Sequence, residues 1–307
     1  MNANIRIIDA GGAHEHVTIA FMRAARCFEQ VDVRVERTLV TNGAEAVTRL
    51  LANQADAAIQ VGCGPALAAI ADGAPLRLIA GANLLTVHAI YSKDGAIRAI
   101  EDLRGRAVGV GALGALTHQL AYAALLKRGV DPSAVRFMPI GNSAKIFQAL
   151  LAGEIDAGFG ETDVFEHQAQ YGVHALEGGV LWRELPEFLN QASFARLDVI
   201  ENKRDALVRT LAAHALLYRR LQARESWAAF ADAWRIGLPQ APLEEGQSQW
   251  RFYQQSRPFA EDLRLPEERV TFLQALNVKM GRQQGVLPFA TVSDVTLAQD
   301  ALRLIEH

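Results

Sequence analysis

Gly109, Gly111 and Gly114 spell G-x-G-x-x-G inside the stretch Asp102-Leu103-Arg104-Gly105-Arg106-Ala107-Val108-Gly109-Val110-Gly111-Ala112-Leu113-Gly114-Ala115-Leu116-Thr117-His118. The stretch reads as a turn, a short apolar strand, a glycine-rich loop and the start of a helix. A strand that ends in glycines beneath a helix N-terminus gathers backbone N–H groups at one spot. Such a spot suits a phosphate, carboxylate or sulfonate. A dinucleotide site also needs an acid at the end of the next strand to hold the ribose. That strand ends Met138-Pro139-Ile140-Gly141-Asn142, without an acid. The glycines are therefore read as a turn that lets a ligand approach the backbone. Gly111, Leu113, Gly114, Ala115 and Thr117 become candidate ligand contacts.

Other residue types with chemical potential are few. His14-Glu15-His16 follows a first apolar stretch. A metal there needs further ligands from elsewhere, so solvated loop residues are the default, with ligand contact by His14 as the alternative. Glu161, Asp163 and Glu166 follow another strand. They could hold an amine or a ring N–H, or simply be acids at a helix N-terminus. Cys63 stands between Gly62 and Gly64. A helix N-terminus there would lower its pKa, although a small residue fitted against a ligand is the simpler role. Thr117 and His118 open a helix beside the glycine loop, where a hydroxyl caps or touches a ligand. No G-x-S-x-G, P-loop, zincin or kinase pattern occurs. No cofactor and no metal are expected.

The elements that must position these residues alternate strand and helix. Strands are predicted at residues 4–9, 31–37, 57–61, 76–80 and 86–91, with helices at 16–28 and 44–53 and one opened by Pro65. The same grammar returns as strands 107–110, 135–140, 156–159 and 173–176, with helices 115–127, 143–152 and one reaching Tyr171. An internal echo ties the two series. Leu50-Leu51-Ala52-Asn53-Gln54-Ala55-Asp56-Ala57 and Leu150-Leu151-Ala152-Gly153-Glu154-Ile155-Asp156-Ala157 share L-L-A-x-x-x-D-A. Two similarly built α/β lobes follow. After a strand predicted at 192–200, the chain turns helical to its end. Trp227, Phe230 and Trp234 recur at helical spacing as core residues, and Ser293 or Asp294 caps the last helix.

The bulk numbers agree with a two-lobed globular chain. It has 307 residues, 50% hydrophobic and 21% charged, with a formal net charge of -3. No basic tract alternates with aromatics, so nucleic acid is not an expected partner. The two cysteines, Cys27 and Cys63, make neither a zinc site nor a disulfide framework. The longest uncharged runs, 57–71 and 78–92, are short for a membrane span, so direct membrane insertion is not expected. Ile5-Arg6-Ile7-Ile8 reads as a first strand rather than part of a signal sequence. The chain is then a trimmed mature form working in the periplasm, or a cytoplasmic protein if its N-terminus is native.

Four segments resemble one family, the type II periplasmic solute-binding proteins of the taurine/aliphatic-sulfonate and thiamine-pyrimidine-precursor group. Leu50-Leu51-Ala52-Asn53-Gln54-Ala55-Asp56-Ala57-Ala58 is similar to its L-x-x-G-x-x-D turn into a strand, with Asn53-Gln54 in place of the glycine. Gly73-Ala74-Pro75-Leu76-Arg77-Leu78-Ile79-Ala80 is similar to G-x-P-L-K-x-V-A. Residues 100–110 resemble S-I-x-D-L-K-G-K-x-V-G-V, and Leu126-Lys127-Arg128-Gly129-Val130-Asp131-Pro132 resembles L-x-x-x-G-L-D-P.

The resemblance implies an α/β type II fold with two lobes, two hinge crossovers and a ligand cleft between them. Lobe one would be residues 1–85 plus 191–307, and lobe two residues 86–190. Strand-end loops would face the cleft. That nominates Gly11, Gly12, Ala13 and His14; Thr41 and Asn42; Gly62, Cys63 and Gly64; and Leu85. From the second lobe it nominates Gly111, Leu113, Gly114, Ala115 and Thr117, then Asn142 and Ser143, then Glu161 and Asp163. The implied partners are a small organic solute, anionic or pyrimidine-like, and an ABC transporter permease. The alternatives are a cytoplasmic decarboxylase or dehydratase of a cyclic acid on the same fold, or a ligand sensor. The acid/base candidates of the enzyme are His14, His118, Glu161 and Asp163.

Overall fold

A computed structural model describes residues 3–10 and 12–306, with the side chain of Ala13 left out. Gly11 lies outside the described residues. Ten strands form two sheets. In chain order they are β1 (Ala3–Ala10), β2 (Val33–Val40), β3 (Ala57–Val61), β4 (Leu76–Gly81) and β5 (Ala89–Ser92). Then come β6 (Ala107–Val110), β7 (Arg136–Pro139), β8 (Ala157–Gly160), β9 (His174–Val180) and β10 (Ala192–Arg196). The first sheet has the order β2-β1-β3-β10-β4 and the second β7-β6-β8-β5-β9.

The two orders are one plan used twice. In each sheet three strands run parallel, the fourth is antiparallel to both neighbours, and the fifth closes the edge. The antiparallel strand always comes from the crossing chain, β5 on the way out and β10 on the return. The central strands β3, β6 and β8 are buried along their whole length, as expected for strands covered on both faces. β2 is an edge strand, and its charged residues alternate outward.

The internal echo falls on equivalent elements. Leu50 and Leu150 are fully buried near the ends of helices Gly43–Leu51 and Ser143–Ala152. Asn53 and Gly153 both turn the chain with positive φ, +58° and +77°. Asparagine tolerates that conformation, so the missing glycine changes little. The two aspartates then do the same job. The Asp56 carboxylate accepts the Arg6 N–H at 2.9 Å, and the Asp56 N–H donates to Arg6 O at 2.8 Å. Asp156 accepts the Ala107 N–H at 2.6 Å, and its own N–H donates to Ala107 O at 2.9 Å. Each aspartate satisfies backbone at the point where the helix–turn–strand unit meets the central parallel strand.

Three predicted elements differ. The helix predicted at 16–28 is Ala13–Ala24, and a second short helix, Cys27–Gln30, follows a turn in which Arg26 has φ +51°. The strand predicted at 192–200 stops at Arg196, and helix Leu197–Asn202 follows. Arg196 closes that corner by donating to Asp198 Oδ1 at 2.9 Å and to Ala55 O. β5 starts at Ala89 rather than at 86, because Thr86 Oγ1 accepts the His88 N–H and bends the crossover. The final helix, Thr296–Glu306, is capped by Asp294, whose carboxylate accepts the Thr296 N–H at 3.1 Å.

One apolar cluster binds the outer face of the first sheet to the helices after residue 204, including Leu207, Leu211, Phe230 and Trp234. Trp227, Phe230 and Trp234 are therefore packing residues, as expected. Among the described residues, no helix is long and apolar enough to cross a membrane.

Candidate functional site

A pocket of about 120 Å³ lies where the strand ends of the two sheets converge. Gly12 and His14 reach it after β1, Thr41 and Asn42 after β2, and Gly62 after β3. From the other side come Gly111, Ala115 and Thr117 after β6, Asn142 and Ser143 after β7, and Glu161 after β8. Helices begin beside every one of these loops. Two of the helix starts are capped by asparagine. Asn42 Oδ1 accepts the N–H groups of Ala44 and Glu45, and Asn142 Oδ1 accepts that of Lys145. Thr117 Oγ1 accepts the Gly111 N–H at 2.7 Å and so fixes the glycine turn.

Apart from Ala13, whose side chain is not described, six nominated residues are not on the pocket wall. Leu113 points outward and is 47% exposed. Gly114 has φ +85°, lies against Arg282 and donates its N–H to His118 Nδ1 at 2.8 Å. Leu85 sits in the crossover, half-buried. Gly64 packs so closely on Gln119 that a Cβ would lie 2.0 Å from its Nε2. Cys63 is buried, and burial pushes its thiol up to about 12, opposite to the expected lowering. Asp163 stands one shell back, bonded to His14. Ala13 lies on the first turn of helix Ala13–Ala24.

The centre of the site is charged. His14 is not a solvated loop residue; it lies in the first turn of helix Ala13–Ala24 and its side chain is 13% exposed. Its Nδ1 is 2.6 Å from Glu161 Oε2 and its Nε2 is 3.3 Å from Asp163 Oδ2. The ring also lies against Trp234, with centroids 5.4 Å apart. Burial alone would lower the His14 pKa. The carboxylates of Glu161 and Asp163 outweigh it and hold His14 well above its usual range. Burial likewise opposes ionisation of Glu161, but His14, His88 and the Ser143 hydroxyl bring its carboxyl down to about 2. His14 thus joins the β1 end of the first sheet to the β8 end of the second.

Other wall residues carry no motif. His88 lies in the crossover before β5, and burial lowers its pKa. Its Nδ1 is 3.0 Å from Thr86 Oγ1 and its Nε2 3.0 Å from Ser143 Oγ. Asn83 and Asn190 line the pocket from the two crossovers. Gln60 reaches it from inside β3, with φ +56° and a slip in the β3–β10 register. Gln249 and Tyr253 come from helix Leu243–Ser256, one turn apart. The one available signal was polar residues inside apolar stretches: Asn83, Thr86 and His88 interrupt the uncharged run 78–92. His118 is not part of this cluster; burial, with Arg282 adding, takes it down to about 4. The four acid/base candidates therefore do not assemble around one space.

The sheet orders, the crossing strands and the pocket at the strand ends define the periplasmic-binding-protein fold. Solved structures share it. A protein of Bordetella bronchiseptica RB50 matches with TM-score 0.82 at 16% identity, covering 99% of this chain and 98% of that one. The alkanesulfonate-binding protein SsuA from Xanthomonas axonopodis pv. citri, bound to MOPS, matches with TM-score 0.74 at 15% identity, covering 94% and 96%. The periplasmic nitrate-binding protein NrtA from Synechocystis PCC 6803 matches with TM-score 0.77 at 13% identity, covering 99% and 89%. No curated protein matches the sequence. The family profile described as NMT1/THI5 like matches residues 26–213, more than half of the chain, and the protein belongs to that family.

Proposed function

We propose that this protein binds one small organic solute in the pocket between its two sheets and presents it to an ABC importer. The observation that carries the reading is the convergence of six strand-end loops, three from each sheet, on one polar pocket. The similarity to sulfonate- and nitrate-binding proteins supports solute capture. The two sheets would act as lobes, residues 1–85 with 191–307 against 86–190, hinged where Asn83 and Asn190 line the pocket. The bound state is closed by His14, Glu161 and Asp163 across the cleft. The periplasmic nitrate-binding protein supports work outside the cytoplasm, and a ligand-binding component of an ABC-type import system from Staphylococcus aureus, which shares the fold, supports a transporter as partner.

The test is native mass spectrometry of the protein as purified, followed by calorimetric rebinding of the released molecule to stripped protein. One solute per chain, recovered chemically unchanged, is the expected result. A molecule recovered altered after incubation would overturn the binding reading in favour of an enzyme.

A further inference from the structure

We infer that the pocket opens on one flank only. A polar seam between helix Leu243–Ser256 and the second-sheet half parts, while an apolar joint at helix Glu267–Lys279 stays shut and serves as the pivot. This inference rests on the solute-binding reading and names the path by which a solute reaches the pocket.

Both helices follow the second crossover and touch the second-sheet half, but through different contacts. At helix Glu267–Lys279 the apolar core runs through without a break. Its Leu273 and Leu276 belong to the same buried cluster as Leu67 of helix Gly64–Ala71 and Leu120 of helix Leu116–Lys127. Phe272 lies against Phe188, with ring centroids 6.3 Å apart. The polar groups inside this joint are buried and bonded. Gln119 Nε2 donates to Asn277 Oδ1 at 2.7 Å, Asn277 Nδ2 donates to Gly64 O at 2.9 Å, and both side chains belong to residues 1% exposed. Parting this flank would expose apolar surface in proportion to its area and break a buried network.

On the other flank the two apolar cores stop short of each other. Tyr253 of helix Leu243–Ser256 belongs to the cluster under the first sheet, whereas Val164 of helix Thr162–Glu166 belongs to the cluster around the second. Polar contacts cross between them. Ser248 Oγ donates to Glu166 Oε2 at 2.5 Å, and Arg251 Nη2 donates to the same oxygen at 2.6 Å, with the Glu166 and Arg251 side chains each 45% exposed. Tyr171 donates to Glu245, and Thr162 to Gln249. The contact of His14 with Glu161 and Asp163 continues the seam, since His14 and Gly246 both pack on Trp234. One ring contact, Trp182 with Phe252 at 5.7 Å, is the apolar exception. Water can replace each polar partner, so parting the seam costs little per bond.

The pocket lies against the seam. Gln249 and Tyr253 line it from helix Leu243–Ser256, whereas no described residue of helix Glu267–Lys279 does. Parting the seam therefore uncovers the wall beside Gln249, and the joint keeps the two halves in register while it does so.

A reporter thiol tests this on the full chain without any solute. Thr18→Cys places it on the pocket wall, at a residue 7% exposed. The native cysteines are buried references, Cys27 in the core under the first sheet and Cys63 beside Gly64 at the joint. Labelling by iodoacetamide is followed by peptide mass spectrometry. Glu166, Tyr171 and Ser248 do not line the pocket. Glu166→Ala combined with Ser248→Ala should speed labelling of the introduced thiol by about tenfold. Tyr171→Phe, which keeps the ring, should speed it by less. Cys27 and Cys63 should stay unreacted on that timescale. An unchanged rate at the introduced thiol in these variants would overturn the inference. So would Cys63 reacting in step with it, because the joint would then part as well. Either result leaves solute binding intact, and the mass spectrometry that tests solute binding does not depend on which flank opens.

Discussion

The two sheets share a scaffold and differ in the chemistry set on it. Asn42 and Asn142 cap equivalent helices, one in each half, Leu50 and Leu150 anchor them, and Asp56 and Asp156 tie each to its central strand. The strand ends carry different groups. After β1 the first sheet presents His14, and after β6 the second presents Thr117. After β3 the first presents Gly62, and after β8 the second presents Glu161. The charges thus face each other diagonally across the pocket. Repetition fixes where a solute can sit, and divergence at the strand ends sets what it can be.

Four substitutions can break or sharpen this comparison. Leu50→Ala and Leu150→Ala each empty a buried site of the same kind, and each should cost about 3 kcal/mol in urea unfolding. A large difference between them would contradict the equivalence of the two helices. Asp56→Ala should cost about 2–3 kcal/mol, more than Asp156→Ala at about 1–2 kcal/mol. Asp56 also receives Arg6 Nη2 at 2.9 Å and Lys203 Nζ at 2.8 Å, whereas Asp156 bonds backbone and accepts no cationic side chain among the described contacts. Equal costs would show that the added cations contribute little at that half-exposed edge.

The diagonal pair has a pH signature. The His14 pKa is raised in the folded protein, so its contribution is full below about pH 6.5 and fades as pH climbs through the raised value. Glu161 is lowered to about 2, so its contribution is present above the ordinary carboxylate range and fades as pH falls toward that value. Asp9, raised to about 6 by burial despite Arg37, adds a loss of stability on the alkaline side of its own ordinary range. Subtracting His14→Gln from the wild type removes that background. The difference should be on the order of 2 kcal/mol near pH 6 and shrink as pH rises. A difference independent of pH would contradict a charged His14. The smallest effects belong to the caps: Asn42→Ala and Asn142→Ala should each cost about 1 kcal/mol by thermal unfolding, with Asn42, which holds two N–H groups, the larger.

Much of the scaffold was legible in the sequence, because it rests on periodicity and on the L-L-A-x-x-x-D-A echo. β3 and β6 and the helix Ser143–Ala152 fall on their predicted residues. Boundaries failed where side chains rather than pattern decide: Arg196 bonding across a corner, Thr86 bending a crossover, Arg26 in a left-handed turn. The loops that converge on the pocket were also legible from strand ends. The His14–Glu161–Asp163 contact was not, because it joins residues far apart in sequence and gains its meaning from burial. Asn190, Gln249 and Tyr253 were equally invisible, since each is an ordinary polar residue until the crossovers and the helix Leu243–Ser256 bring it to the wall.

The central claim is that one pocket, built from both sheets, holds the solute. Ser143→Trp and Thr41→Trp each fill it from one side, at helix-start positions that are not packed in a core. Calorimetric titration of the solute carried on purification should give one site in the wild type and no measurable binding in either variant, with both still unfolding cooperatively. Wild-type affinity in either variant would contradict the claim.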